Sequence, residues 1–360
     1  MPPVAVRILH PEPAGAAGPL TRWVAAERSH VAERQRRAFL DAGADDVEVV
    51  GGARDQGSFG ERLRELVPRG SAGGLVVLGS GAVPLATAAD RRAFVAIAAR
   101  DGRSALANNR YSADVVAISR ADSLPKIPDL PGDNALPRWL EEVVGYQVDD
   151  LRGRWRLAFD IDGPLDLVLL GRTAGGRAET ATVMSRLAAV SAVASDRRAE
   201  LLIAGRTSAA TLAWLERHAA ARVRAWVEER GLRAASRLAQ ADVGNLQMPR
   251  PPVSVLGAML ERDGPGALGT HLARFGDAAI VDTRVLLAHR YRADEGRWPV
   301  AEDRFASDLL LPGRIADPWL RALTASAAHA PIPVVLGGHM LVSPGVRLVI
   351  GGRTGVQPWR

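Results

Sequence analysis

The sequence predicts an α/β protein: a mostly parallel sheet in its first half, followed by a second, helix-rich α/β domain. Three observations carry this. Short unbroken apolar runs recur along the chain, as expected of strands covered on both faces, for example at residues 75–78. Each run in the first half passes through a turn rich in Gly, Pro or Ser into a stretch of helical period. The 360 residues, 47% of them hydrophobic, are enough for two cores, placed at residues 1–170 and 171–360.

Taken in order, residues 4–9 read as the first strand, followed by a loop rich in Pro, Gly and Ala. Residues 21–42 have helical period, with Trp23, Val31, Phe39 and Leu40 as apolar anchors, and Gly43 stops them. Residues 47–50 are a second strand. Ser58 and Glu61 have the spacing of a capping box and open the next helix. The strand at 75–78 runs into Gly79–Pro84 and then a helix capped by Thr87. A strand at 115–118, a loop at 122–134 and a helix at 136–144 lead to a strand expected at 157–159 and a helix opened by Pro164. In such β-α-β alternation, connections are right-handed and ligands sit at the carboxyl ends of the strands. Asp114, at the start of its strand, is therefore expected on the far side of the sheet.

In the second half, a loop at 171–177 precedes a helix to about 194 and a strand at 200–204. Residues 217–230, with Trp226, read as helical, and 244–253 as a loop. A strand at 278–281, helices at 301–311 and 317–328, a strand at 332–336, an edge strand at 346–350 and a loose tail at 353–360 complete the chain.

Composition narrows the chemistry. There is no cysteine, so disulfides, thiolate nucleophiles and Cys-ligated metals are excluded, in keeping with a cytoplasmic protein. No apolar run is long enough to span a bilayer, and the first residues lack a signal-peptide layout. The net charge is +6, and Lys126 is the only lysine among 46 basic residues, a bias of genome composition. Such a surface accommodates anionic ligands. Scarce aromatics, with no Arg-rich run interleaved among them, argue against nucleic acid. Spacings for a zinc helix, a Gly-x-Ser-x-Gly elbow or a Walker loop are absent.

Two constellations stand out. Asp160 and Asp162, two residues apart between a strand and a helix start, offer oxygen ligands to a hard divalent cation; the same pattern also serves as a turn and helix cap. In the second half, three apolar strands end in polar residues: Arg206-Thr207-Ser208, Asp282-Thr283-Arg284 and Gly337-Gly338-His339. If these strands are parallel neighbours, their ends converge. Arg206, Thr207 and Ser208 at a helix start then suit an anion, and His339 suits a base or ligand donor. The bland alternative is a Thr207 N-cap and a loop histidine.

Three segments resemble the nucleotidyltransferase and glycosyltransferase-A-like superfamily, in the branch of 2-phospho-lactate and molybdenum-cofactor guanylyltransferases. They are Gln56-Gly-Ser-Phe-Gly-Glu-Arg-Leu63, Val76-Val-Leu-Gly-Ser-Gly-Ala-Val-Pro-Leu85 and Phe159-Asp-Ile-Asp-Gly-Pro-Leu-Asp-Leu167. The resemblance covers residues 1–170. It implies a nucleotide-dependent transferase that moves a nucleotidyl group from a nucleoside triphosphate, or a sugar from a nucleotide sugar, to a small acceptor. It further implies Mg²⁺ on Asp160 and Asp162, phosphate on Arg22, the nucleotide near Gly79, Ser80 and Gly81, and an acceptor pocket near Asn108, Asn109 and Tyr111. The sequence departs from the family where a metal aspartate is expected, at Gly81 or Ala82, and its first loop has no lysine. Two other readings therefore stand beside the transferase: a degenerate ligand-binding or assembly module, and chemistry moved to the second domain.

Overall fold

The computed structural model describes residues 2–52, 58–66, 73–130, 133–171, 177–229, 252–292 and 295–351. Gln56 and Gly57, residues 172–176, 230 and 244–251, and the tail 353–360 lie outside the described residues. The fold is α/β, with a mostly parallel six-stranded sheet and a wholly parallel four-stranded one. The chain divides into two compact units, residues 1–17 with 25–161, and residues 18–24 with 162–360. The division thus falls at Ile161/Asp162, ahead of the expected 170.

In the first unit the strands are β1 (Val4–Leu9), β2 (Asp46–Val50), β3 (Gly74–Gly79), β4 (Ser104–Ala107), β5 (Val115–Ile118) and β6 (Gln147–Asp150). Their order is β2-β1-β3-β5-β4-β6, with only β5 antiparallel to its neighbours. Helices α1 (Pro19–Asp41, its first turns in the second unit), α2 (Phe59–Leu66), α3 (Ala88–Ala98) and α4 (Leu136–Glu142) accompany them. Val4, Val6 and Ile8 alternate on β1, and Val76 and Leu78 on β3. They form one core with Ala32 and Phe39 of α1 and Phe94 of α3.

Two strands were not legible in the sequence. β4 reads Ser-Ala-Leu-Ala, poor in β-branched residues, and β6 is a polar edge strand; both are strands because they pair, not by propensity. The strand expected at 157–159 is instead a 3₁₀ turn, Trp155–Ala158, followed by a single antiparallel bridge from Asp160 to Ala82. Leu157 and Phe159 are apolar because they are packed in the core, not because they pair.

The turn after β3 is strained and clamped. Val83 has φ +42°, a left-handed conformation that a β-branched residue rarely adopts. The buried Gln35 side chain of α1 donates to the carbonyls of both Ala82 and Val83 at 3.2 Å and accepts from Arg91 Nε at 2.8 Å. Gln35→Ala strands buried acceptors and a guanidinium N–H, and is expected to cost about 2–4 kcal/mol. Urea denaturation of the two proteins measures this; equal midpoints would refute the clamp.

In the second unit, strands β7 (Glu200–Gly205), β8 (Arg222–Val227), β9 (Ala278–Asp282) and β10 (Val334–Gly337) are all parallel, in the order β10-β9-β7-β8. The helices are α5 (Pro164–Leu169), α6 (Ala181–Ala194), α7 (Ala209–His218), α8 (Val255–Asp263), α9 (Leu268–Ala273), α10 (Thr283–Arg290), α11 (Ala301–Asp308), α12 (Pro318–Ala328) and α13 (Val346–Ile350). The helix expected over 217–230 is corrected: α7 stops at His218, and Arg222–Val227 is strand β8. Its Arg-Val-Arg-Ala-Trp-Val has the period of two of an edge strand. The edge strand expected at 346–350 is α13, entered through the π turn Leu341–Gly345; its Val/Ile content misled, and packing decides.

Candidate functional site

In the first sheet the chain runs from β1 to β2 on one side, then returns to β3 on the other. The switch point therefore lies between β1 and β3, where ligands of doubly wound sheets bind. A cleft with a cavity volume of about 240 Å³ opens there, lined by Leu9, Arg28, Gly79, Ser80, Asp114 and Asp160, with Phe59 and Arg62 of α2. Ser80 Oγ lies 3.0 Å from His10 Nδ1, and the Ser80 N–H donates to the Leu9 carbonyl. Burial, with help from Arg28, lowers the pKa of His10 against a smaller opposing pull from Glu12. His10 follows the first strand directly, which is the signal that marks it.

Asp114 is a correction. Because β5 is antiparallel, its start lies at the carboxyl edge of the parallel strands, and Asp114 lines the cleft. Asn108 holds it there. The amide donates to Asp114 Oδ2 and the Leu157 carbonyl at 2.9 Å and accepts from the N–H groups of Asp114 and Val115. Asn108 is thus consumed in positioning Asp114, and Asn109 accepts from the Tyr111 N–H within its own turn. Arg22 is exposed on the part of α1 that belongs to the second unit, and it is not among the lining residues.

The residues fit a Mg²⁺ on Asp160 and Asp162 poorly. Arg28 Nη2 stands 3.9 Å from Asp160 Oδ2, so a guanidinium takes the place beside this carboxylate, and a second cation there would be repelled. Asp160 Oδ1 also accepts from the Ile161 N–H. Gly81 leaves no room for a family-type aspartate: a Cβ there would come within 2.6 Å of Arg28 Nε and 2.7 Å of Asp160 Oδ1. Among the described residues, no group of three or more His, Asp or Glu side chains is set to hold a metal. Arg28 Nε is buried with no hydrogen-bond partner among them.

The second unit brings its three strand ends together, as the parallel neighbours β10, β9 and β7 require. Gly205 has φ +132°, and a Cβ on it would strike Asp282, so only glycine lets the two strand ends meet here. Arg206 grips Asp282 through two hydrogen bonds of 2.7 and 3.3 Å, and Asp282 also caps α10 by accepting from the Arg284 N–H. Burial alone would raise the Asp282 pKa, but Arg206, His339 and Arg284 outweigh it and hold the carboxyl below its usual value. Arg284 in turn makes two 2.6 Å bonds to Asp308 of α11. His339 Nδ1 lies 3.2 Å from the Arg206 carbonyl, which can only accept, so Nδ1 carries the proton. Burial and then Arg206 lower its pKa to about 4, against Asp282 and Asp162. The ring is neutral at pH 7, with its lone pair on Nε2.

Thr207 is not the helix cap. Ser208 caps α7 by accepting from the Thr211 N–H, while Thr207 Oγ1 is buried with no partner among the described residues. Asp308 carries no local signal in the sequence, whereas Asp166 lies in the first turn of the helix opened by Pro164 and inside the family-like segment. Asp166 Oδ2 accepts from the N–H groups of Asp162 and Gly163 at 2.8 Å. Burial, then the charges of Asp162 and Asp308, push its pKa well above the carboxylate range.

No protein-family model matches the chain, and no curated protein matches it either.

Proposed function

We propose that the chain is a nucleotide-dependent transferase of the guanylyltransferase-like type, which binds a nucleoside triphosphate or nucleotide sugar in the β1/β3 cleft of its first unit. The observation that carries this reading is Arg28 in the wall of a switch-point cleft, loosely paired at 3.9 Å, with its Nε unpartnered among the described residues. An anionic phosphate supplies what such a guanidinium lacks. Arg62 adds a second positive charge from α2, and Gly79 and Ser80 bring backbone to the cleft wall. In nucleotidyl transfer, an acceptor oxygen attacks the α-phosphate, its bond to phosphorus forms, and pyrophosphate leaves. This chain's part is to position the reactants and to neutralise charge with arginine. Asp114, fixed by Asn108, stands in the cleft wall to orient the acceptor hydroxyl and take its proton. No helix among the described residues is long and apolar enough to cross a membrane; the cytoplasm suits such an activity and the lack of cysteine.

One observation favours a second reading, a ligand-binding or assembly module without turnover: Arg28 faces Asp160 where the family would hold a metal. Thermal-shift titration with the four nucleoside triphosphates and common nucleotide sugars, with and without Mg²⁺, tests binding. The expected result is a base-selective rise in Tm that Arg28→Ala weakens by about tenfold or more in affinity. Pyrophosphate release in the presence of acceptor mixtures separates transferase from module. No shift with any nucleotide at millimolar concentration sinks the transferase reading and leaves the module.

A further inference from the structure

The second sheet has a switch point of its own. The chain leaves β7 for β8 on one side and returns to β9 on the other, so the crevice lies between the carboxyl ends of β7 and β9, where Arg206 and Asp282 meet. Three groups at this place have capacity left over. Arg206 commits Nε and Nη2 to Asp282; its Nη1 bonds no described residue, and the side chain is partly exposed. His339 commits Nδ1 to the Arg206 carbonyl; its Nε2 likewise has no partner among the described residues. The N-terminus of α7, a helix of ten residues, begins with the exposed Ser208, Ala209 and Ala210, whose N–H groups lack intrahelical partners. Beside them Thr207 Oγ1 is buried with no partner among the described residues, a polar atom that an oxygen held at this turn would satisfy.

These groups ask for two things from one ligand. The Arg206 guanidinium and the α7 N-terminus need an anionic acceptor, and a tetrahedral phosphate suits a helix N-terminus following a glycine turn. The His339 Nε2 lone pair needs a donor, which an anion cannot supply but a hydroxyl can. Asp282 takes Nε and Nη2 of Arg206 and does not compete for Nη1.

We propose that the carboxyl edge of β7 and β9 is a second ligand site, taking a small phosphate ester with a free hydroxyl, the phosphate on Arg206 and the start of α7 and the hydroxyl on His339 Nε2. This site lies wholly in the second unit and does not depend on the nucleotide reading of the first.

Calorimetric titration of the full chain, with and without Arg28→Ala, which weakens the first cleft but leaves the second unit unchanged, tests it with ribose 5-phosphate, ribose and inorganic phosphate as probes. One equivalent of ribose 5-phosphate is expected to bind, inorganic phosphate about tenfold more weakly, and ribose not measurably. Arg206→Gln should weaken ribose 5-phosphate about tenfold or more, and Thr207→Val several-fold, with Thr207→Ser restoring it. His339→Leu should lose the preference for the ester over phosphate, and His339→Gln, which keeps an acceptor, should retain it. Circular dichroism confirms that each variant is folded; the Thr207 and His339 pairs decide the matter if Arg206→Gln does not fold. The proposal is overturned if neither phosphate compound binds at millimolar concentration, or if affinity is the same in Thr207→Val and His339→Leu.

Discussion

Asp282→Ala is expected to destabilise the second unit by about 3–5 kcal/mol, because it leaves a buried guanidinium without its counter-charge. The Asp282 side chain is fully buried, and it serves two neighbours: the Arg206 side chain and the N–H of Arg284 at the start of α10. Removing it leaves Arg206, itself only 15% exposed, among apolar strand ends with no carboxylate facing it. Asp282→Asn should cost less, since an amide of the same shape still accepts from Arg284 N–H and from one guanidinium N–H. Native-state hydrogen exchange at the amides of β7 and β9, with urea denaturation of the whole chain, measures the difference. A change within about 0.5 kcal/mol for Asp282→Ala would mean that the pair is solvated and not buried as described. Asp308→Ala gives a parallel result for Arg284, and the two losses should not add, because Asp282, Arg284 and Asp308 share one network.

The convergence of Arg206, Asp282 and His339 was legible because a strand read as an apolar run also predicts where its last residue lies, and parallel neighbours put such ends together. Their partners were not legible. Asp308 sits inside a helix and Asp166 in a helix's first turn, and nothing in local pattern says that a helical carboxylate faces inward toward Arg284. Asp114 shows a different limit. Its position in the chain is plain, but its side of the sheet depends on the direction of β5, and a four-residue apolar strand carries no mark of direction. For the same reason β4 and β6 were missed: pairing partners, not residue preferences, make strands of Ser-Ala-Leu-Ala and Gln-Val-Asp-Asp. The pair Asp160 and Asp162 is plain from spacing, but the guanidinium of Arg28 beside Asp160, from a helix far earlier in the chain, is not.

Acidification from pH 6.5 to 4 is expected to lower stability through His339, and His339→Gln should remove that part of the loss. An unfolded histidine titrates near 6.5, whereas burial and Arg206 hold His339 near 4. Between these values the unfolded chain binds a proton that the folded protein does not, so stability rises with pH across this window. The full difference corresponds to about 3 kcal/mol at low pH, an upper bound because the ring is only half-buried. Asp166 works in the opposite direction. Its folded pKa is raised, so the folded protein holds the extra proton above the ordinary carboxylate value, and acidification through that range stabilises it. Asp282, held low, joins His339: its contribution is present above the unfolded carboxylate value and disappears as pH falls through its folded pKa. The wild-type profile is therefore a sum of opposing slopes, and the informative quantity is the difference between wild type and His339→Gln at each pH. That difference should be flat above pH 7 and grow steadily from 6.5 to 4. If it is flat throughout, His339 titrates as it does in the unfolded chain, and burial beside Arg206 does not hold the ring below its ordinary value.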